Sequence, residues 1–140
     1  MTEFPASRNA AAPYSGQPDR MPQRCLLVDD SEAFLETASL LLEREGLTVV
    51  GVASSIAEAL RQARALRPDV ILVDIGLGSE SGFTLAGLLA SDDHGADVIL
   101  ISTAAEADYA ELIAESPAAG FLSKSELSAR RISRLLGHAS

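Results

Sequence analysis

Polar side chains that could carry out phosphoryl chemistry directly follow the apolar runs of this chain. They are Asp29, Asp30, Asp74, Ser102, Thr103 and Lys124. Carboxylates without a neighbouring histidine or cysteine are typical ligands of Mg²⁺. A carboxylate beside a metal ion and an ammonium group can also attack a phosphoryl group and form an acyl phosphate. The residue types therefore predict phosphoryl transfer to an aspartate.

The three aspartates would need a cation if they lie together. Two unit charges about 4 Å apart interact by roughly 4 kcal/mol at an effective dielectric near 20. Asp74 is the candidate nucleophile, and helix capping is a weaker alternative for it than for Asp29 and Asp30, because a glycine-rich loop and no immediate helix follows it. Lys124 would neutralise the charge that develops during transfer, and the Ser102 hydroxyl would donate to a phosphoryl oxygen.

Five apolar runs, each followed by a segment with helical periodicity, must position these side chains. The runs are "CLLVD", "LTVVGVA", "DVILVD", "DVILIS" and "AGFLS". Strands that are apolar at nearly every position are covered on both faces, and single helices between strands make them parallel. The pattern predicts an α/β fold, a doubly wound, five-stranded parallel sheet of (βα)5 type. In such sheets ligands bind beyond the carboxyl ends of the strands.

Composition limits the class of protein. The chain has 140 residues, 47% of them hydrophobic, with a net charge of -9 and a pI near 4.6. This acidity argues against direct DNA binding and against binding to anionic membranes. A lone cysteine forms no internal disulfide, and no apolar stretch suits a signal peptide or a membrane span. We expect a cytoplasmic protein.

Two regions differ in composition. Residues 1–23 hold four of the six prolines and show no apolar periodicity, so we predict a disordered N-terminal tail. Residues 24–138 form the predicted domain.

Each candidate also has a purely structural interpretation. An aspartate or serine after a strand often caps the next helix, as Asp29, Asp30 or Ser31 could. Lys124 could extend its ammonium to the surface, and the Ser102 hydroxyl could bond only to the backbone.

The motifs around these residues resemble a response-regulator receiver domain of two-component signalling, of the stand-alone type. From Arg24 to Gly137, "LLVDDSE", "VILVDIGLGSESG", "VILIST" and "GFLSKSEL" match the four signature regions of that family in order. The spacings, 74 - 30 = 44 and 124 - 102 = 22 residues, also suit the family. The resemblance implies a flavodoxin-like receiver fold with strand order 2-1-3-4-5.

The resemblance implies a role for each site residue. Asp74 would accept the phosphoryl group. Asp30 and Asp74 would bind Mg²⁺ directly, the backbone carbonyl of Gly76 would be a further ligand, and Asp29 would act mostly through water. Lys124 would stabilise the phosphoryl group.

A switch is also implied by the resemblance. Ser102 takes the position of the switch hydroxyl, and Thr103 is the less favoured candidate, since only 21 residues separate it from Lys124. Phe121 takes the position of the aromatic switch residue. Ser125 follows the lysine where many members have proline, which leaves the isomer of that peptide bond open.

The implied partners are a sensor histidine kinase or a phosphotransfer protein, and an unidentified downstream protein. Only three residues follow Gly137, so we expect no output domain, and a homodimer is left open. The expected role is a signalling switch and not an enzyme.

Two alternatives remain: a small Mg²⁺ phosphohydrolase with an aspartyl nucleophile, and a receiver-like interaction module that is not phosphorylated. The phosphohydrolase would usually carry a second aspartate where this chain has Gly76.

Overall fold

The computed structural model describes residues 23–92 and 95–137. The tail predicted to be disordered lies outside this part of the chain except for Gln23, as does the last residue of the predicted domain. The strands are β1 (Arg24–Val28), β2 (Thr48–Ala53), β3 (Val70–Asp74), β4 (Gly76–Leu77), β5 (Glu80–Ser81), β6 (Asp97–Ser102) and β7 (Gly120–Ser123). The α-helices are α1 (Glu32–Arg44), α2 (Ile56–Leu66), α3 (Gly82–Ser91), α4 (Ala110–Glu115) and α5 (Ala129–Leu135).

Five of the strands form one parallel sheet in the order β2-β1-β3-β6-β7. Counted within this sheet alone, the order is 2-1-3-4-5, so the predicted topology is confirmed. The short strands β4 and β5 form a separate antiparallel hairpin between β3 and α3. The strand order reverses between β1 and β3, and the crevice for a ligand is expected at their carboxyl ends.

A hydrophobic core lies on each face of the sheet. Alternate residues of the central strands, such as Leu26 and Ile71, pack on one face with buried residues of α2 and α3. The others, such as Leu27 and Leu72, pack on the opposite face with α1 and α5. All of these side chains are inaccessible to solvent. Burial on both faces is why the strands are continuously apolar in sequence.

Four helices begin at a serine that caps the first turn. The hydroxyls of Ser31, Ser55, Ser81 and Ser128 accept hydrogen bonds from backbone N–H groups of α1, α2, α3 and α5, respectively. Such caps satisfy donors that the first turn leaves unpaired. For α1 the cap is the Ser31 side chain, so this role does not fall to Asp29 or Asp30.

The last two helical segments are shorter than the sequence periodicity predicts. Residues Glu106–Tyr109 form a 3₁₀ turn before α4, and Lys124–Glu126 form another after β7. The α-helix α5 begins only after the Ser128 cap. All peptide bonds in the described part are trans, including Lys124–Ser125. Among these residues, we find no helix with the length and apolar character needed to cross a bilayer.

Candidate functional site

Three polar side chains are buried among the described residues, and all three lie at the carboxyl ends of central strands. They are Asp29 after β1, Asp74 at the end of β3 and Ser102 at the end of β6. Buried charges are costly unless they are paired or bind a metal ion. Their grouping at the reversal of strand order marks this edge as the candidate site.

Asp29 is fully buried and is held from both sides. Its Oδ1 accepts a hydrogen bond from the Ser31 N–H at 2.9 Å, and its Oδ2 lies 2.6 Å from Lys124 Nζ. The Oδ2 contact is an ion pair without hydrogen-bond alignment, and no donor among the described residues bonds to that oxygen. Asp29 is therefore fixed in place by the Ser31 N–H on one side and by its ion pair with Lys124 on the other.

Asp74 contacts the same lysine more loosely. Its Oδ1 accepts from the Gly76 N–H at 3.3 Å, and its Oδ2 lies 3.5 Å from Lys124 Nζ. Burial raises the pKa of Asp74 and the negative charge of Asp29 raises it further, while Lys124 and the Gly76 N–H lower it, leaving it above its ordinary value. The charged form of Asp74 is therefore under-stabilised, a state that an added cation would relieve.

Asp30 completes a cluster of three carboxylates. Its side chain is exposed, and one oxygen from each of Asp29, Asp30 and Asp74 lies within 4.8 Å of the others. With Lys124 nearby, the formal charge of the group is -3 + 1 = -2. Hard oxygen ligands with residual negative charge suit Mg²⁺, which binds through one or two carboxylates and keeps several waters.

The loop after Asp74 is ordered by the β4–β5 hairpin, which was not predicted. Gly78 turns the hairpin with a positive φ of 65°, a conformation that glycine adopts without strain. Glu80 Oε1 accepts a hydrogen bond from the Ile56 N–H at 2.9 Å, which ties the hairpin to the start of α2. At Gly82 an added Cβ would overlap the backbone of Asp74. The sequence signal for this turn was the "GLGSES" segment.

Lys124 is largely enclosed, with 14% of its side chain exposed. Its ammonium is 2.6 Å from Asp29 Oδ2, 3.5 Å from Asp74 Oδ2 and 4.2 Å from the centroid of the Phe34 ring. The sequence prediction placed Lys124 at this edge but did not include Phe34. The available signal was its position in the first turn of the helix that follows the acidic pair.

The two hydroxyl candidates differ in burial. Ser102 is buried, and its Oγ accepts a hydrogen bond from the Ala104 N–H at 3.0 Å. Thr103 is exposed. Ser102 therefore lies with Asp74 and Asp29 at the strand ends. Its phosphoryl-binding role and that of Thr103 stay predictions.

Phe121 lies next to this edge with 8% of its surface exposed and packs in the core on the α2 and α3 face. A hollow of about 280 Å³ adjoins the ring and is also lined by Glu106, Ser123 and Ser125. The ring is therefore buried against the core, and its role as a switch stays a prediction.

Curated relatives match this chain over part of their own length. The chain is 31% identical over 121 residues to the DNA-binding response regulator MtrA of Mycolicibacterium smegmatis, covering 84% of this chain and 52% of MtrA. It is 30% identical over 102 residues to the response regulator GacA of Pseudomonas viridiflava, covering 72% of this chain and 48% of GacA. The chain thus spans about half the length of the curated relatives it matches.

A solved structure of similar fold is a two-component response regulator of the LuxR family from Aurantimonas sp. SI85-9A1. It is 26% identical, with a TM-score of 0.72, and the match covers 84% of this chain and 87% of that one. The family model of the response regulator receiver domain matches residues 25–135. This chain belongs to the response regulator receiver family of two-component systems.

Proposed function

We propose that this receiver accepts a phosphoryl group on Asp74 from a histidine kinase or a phosphotransfer protein. The observation that carries the proposal is the position of Asp74: its buried carboxylate ends the central strand β3, within 4.8 Å of two other carboxylates and 3.5 Å from Lys124. A nucleophile, a cation and ligands for a second cation are thus assembled at one point.

The proposed reaction is a displacement at phosphorus. A bond forms between an Asp74 carboxylate oxygen and phosphorus, while the bond between phosphorus and the donor's histidine nitrogen breaks. Lys124 balances negative charge on the phosphoryl oxygens, and it is already held at the site by Asp29. Because such transfers depend on positioning and electrostatic stabilisation, a lysine held at the site contributes directly to the rate.

The residues present fit Mg²⁺. We propose that Asp30 and Asp74 bind it through their carboxylates and Gly76 through its backbone carbonyl, while Asp29 acts through a water molecule. When bound, Mg²⁺ neutralises charge on the phosphoryl oxygens. The full burial of Asp29 and the exposure of Asp30 support this division, since the first carboxylate is enclosed and the second is accessible.

We further propose that Ser102 and Phe121 transmit the change to a downstream domain or protein. The Ser102 Oγ would exchange its bond from the Ala104 N–H for a contact with a phosphoryl oxygen, and the Phe121 ring would then be held inward. A local charge event would thereby bias a packing equilibrium. We favour a switch over a phosphohydrolase because position 76 is a glycine and offers no second acid or base.

Intact-protein mass measurement tests the proposal. Wild-type protein incubated with Mg²⁺ and acetyl phosphate is expected to gain the mass of one phosphoryl group, and Asp74→Asn is expected to gain none. Asp97→Asn, an exposed aspartate at the start of β6 and at the opposite end of the sheet, is the matched control and is expected to react like wild type. Equal labelling of Asp74→Asn and wild type would overturn the assignment.

A further inference from the structure

The aromatic ring of Phe34 faces the ammonium of Lys124, which suggests a role for a residue outside the predicted site. Lys124 Nζ lies 4.2 Å from the ring centroid, a distance typical of a cation–π interaction. We propose that Phe34 is a positioning residue that keeps Lys124 at the site during phosphoryl transfer. This inference rests on the proposed function of Asp74.

Phe34 is held in place independently of the lysine. It lies in the first turn of α1, where its backbone N–H donates to the Ser31 hydroxyl at 3.2 Å. Its partly buried ring packs against the core on the α1 and α5 face. The helix cap and the core thus fix the ring, so the ring can position the more flexible lysine side chain.

The two carboxylates alone would hold Lys124 unequally. The ammonium is 2.6 Å from Asp29 but 3.5 Å from Asp74, so Asp29 holds it away from the proposed acceptor. Attraction to the face of an aromatic ring is less directional than a hydrogen bond. The ammonium can therefore shift from Asp29 toward a phosphoryl oxygen on Asp74 while it stays against the Phe34 ring.

Burial makes this contact more effective. Only 14% of the Lys124 side chain is exposed, and cation–π attraction grows as the cation loses water. Leucine at position 34 would keep an apolar surface but remove the ring's negative face. Tyrosine would keep that face. The two substitutions therefore separate the proposed positioning role from simple packing.

The experiment uses Phe34→Leu, Phe34→Tyr and the control Leu40→Ala, an exposed residue of the same helix. In the unphosphorylated protein, the nearby Phe34 ring changes the NMR chemical shifts of the Lys124 methylene protons next to the ammonium. We expect these ring-induced shifts to vanish in Phe34→Leu and to remain in Phe34→Tyr. With Mg²⁺ and acetyl phosphate, Phe34→Leu should be phosphorylated about threefold to tenfold more slowly. The phosphorylation rates of Phe34→Tyr and Leu40→Ala should stay within about twofold of the wild-type rate.

Two results would overturn the role of Phe34 without affecting the proposed function of Asp74. One is unchanged Lys124 shifts in Phe34→Leu, and the other is equally slow phosphorylation of Phe34→Leu and Phe34→Tyr. Thermal unfolding of each variant shows whether slower phosphorylation is caused by unfolding of the protein. Such a result would also count against a positioning role. Failure of wild-type protein to react would instead overturn the proposed function. The NMR shifts distinguish these cases, because they require no phosphorylation.

Discussion

The two ends of the parallel sheet treat charge in opposite ways. At the amino end, Asp69 Oδ2 accepts from the Arg24 backbone N–H at 2.9 Å, and Arg24 Nη1 donates to the Arg67 carbonyl at 2.7 Å. Both contacts are exposed to solvent. At the carboxyl end, Asp29 and Asp74 are buried and share one ammonium.

We interpret this difference as one between charges that stabilise the fold and charges proposed to act in function. The charges at the amino end are solvated and bonded, so they tie β1 to the loop before β3 at little electrostatic cost. At the carboxyl end, burial and then the negative charge of Asp29 raise the pKa of Asp74. Buried carboxylates whose charge is not fully compensated are expected at sites of binding or catalysis.

The largest predicted effect comes from removing the shared cation. Lys124→Met should lower the free energy of unfolding by about 3 kcal/mol, because it leaves buried Asp29 without its charged partner. Arg24→Met, at the other end, should cost less than about 1 kcal/mol. Urea unfolding without divalent cations measures both values. Equal losses would contradict the contrast between the two ends.

Mg²⁺ bound at the carboxyl end of the sheet should raise the free energy of unfolding, by somewhat less than Lys124→Met lowers it. At a concentration a hundredfold above its dissociation constant, a ligand specific for the folded state adds about 2.7 kcal/mol. Thermal unfolding at rising Mg²⁺ measures this gain. Asp30→Asn should weaken Mg²⁺ binding at least tenfold, whereas Asp97→Asn should not change it. Equal Mg²⁺ responses of these two variants would place the ion elsewhere.

Neutralising Asp74 should stabilise the metal-free protein. Its pKa in the folded protein is raised above the ordinary 3.8. At a pH between the ordinary pKa and the raised pKa, the folded state therefore holds a proton that the unfolded chain has lost. Stability therefore falls as pH rises through this window, and the full penalty applies above it. Asp74→Asn should raise the melting temperature in EDTA at pH 7 by a few degrees, since about 1 kcal/mol corresponds to roughly 4–8 °C.

The pH profile provides the control for this prediction. The advantage of Asp74→Asn should shrink as pH falls and disappear below the ordinary pKa of aspartate, where both folded and unfolded chains are protonated. A constant advantage at all pH values would show that packing, and not charge, causes it.

The smallest effect is expected at the hairpin next to the site. Glu80→Ala removes the acceptor of the Ile56 N–H at the start of α2. Loss of a helix-capping contact of this kind costs about 0.5–1 kcal/mol. Urea unfolding of the variant beside Glu36→Ala, an exposed glutamate of α1, measures the difference. Equal values for the two would mean that the hairpin tie adds no stability.

The sheet and the position of its acidic edge could be predicted from sequence because they depend on local pattern. Apolar runs buried on both faces define the strands, and parallel strands bring their carboxyl ends to one edge. Asp29, Asp74 and Lys124 follow from that rule alone, although they are far apart in the chain.

Details that depend on packing could not be predicted. The nearer contact of Lys124 is Asp29 rather than Asp74, which depends on the conformation of one long side chain. Phe34 fits the helical stripe of apolar residues, and nothing in that spacing shows that its ring meets an ammonium. The late start of α5 depends on the cap at Ser128, one of several serines in that segment.

The proposed acceptor role of Asp74 can be tested through the chemistry of the modified residue. Borohydride reduces an acyl phosphate to an alcohol, and peptide mass spectrometry then locates the reduced side chain. After reaction with acetyl phosphate and Mg²⁺, we expect reduction at position 74 alone. Reduction at Asp29 or Asp30, or a borohydride-resistant phosphate on Ser102, would contradict the assignment.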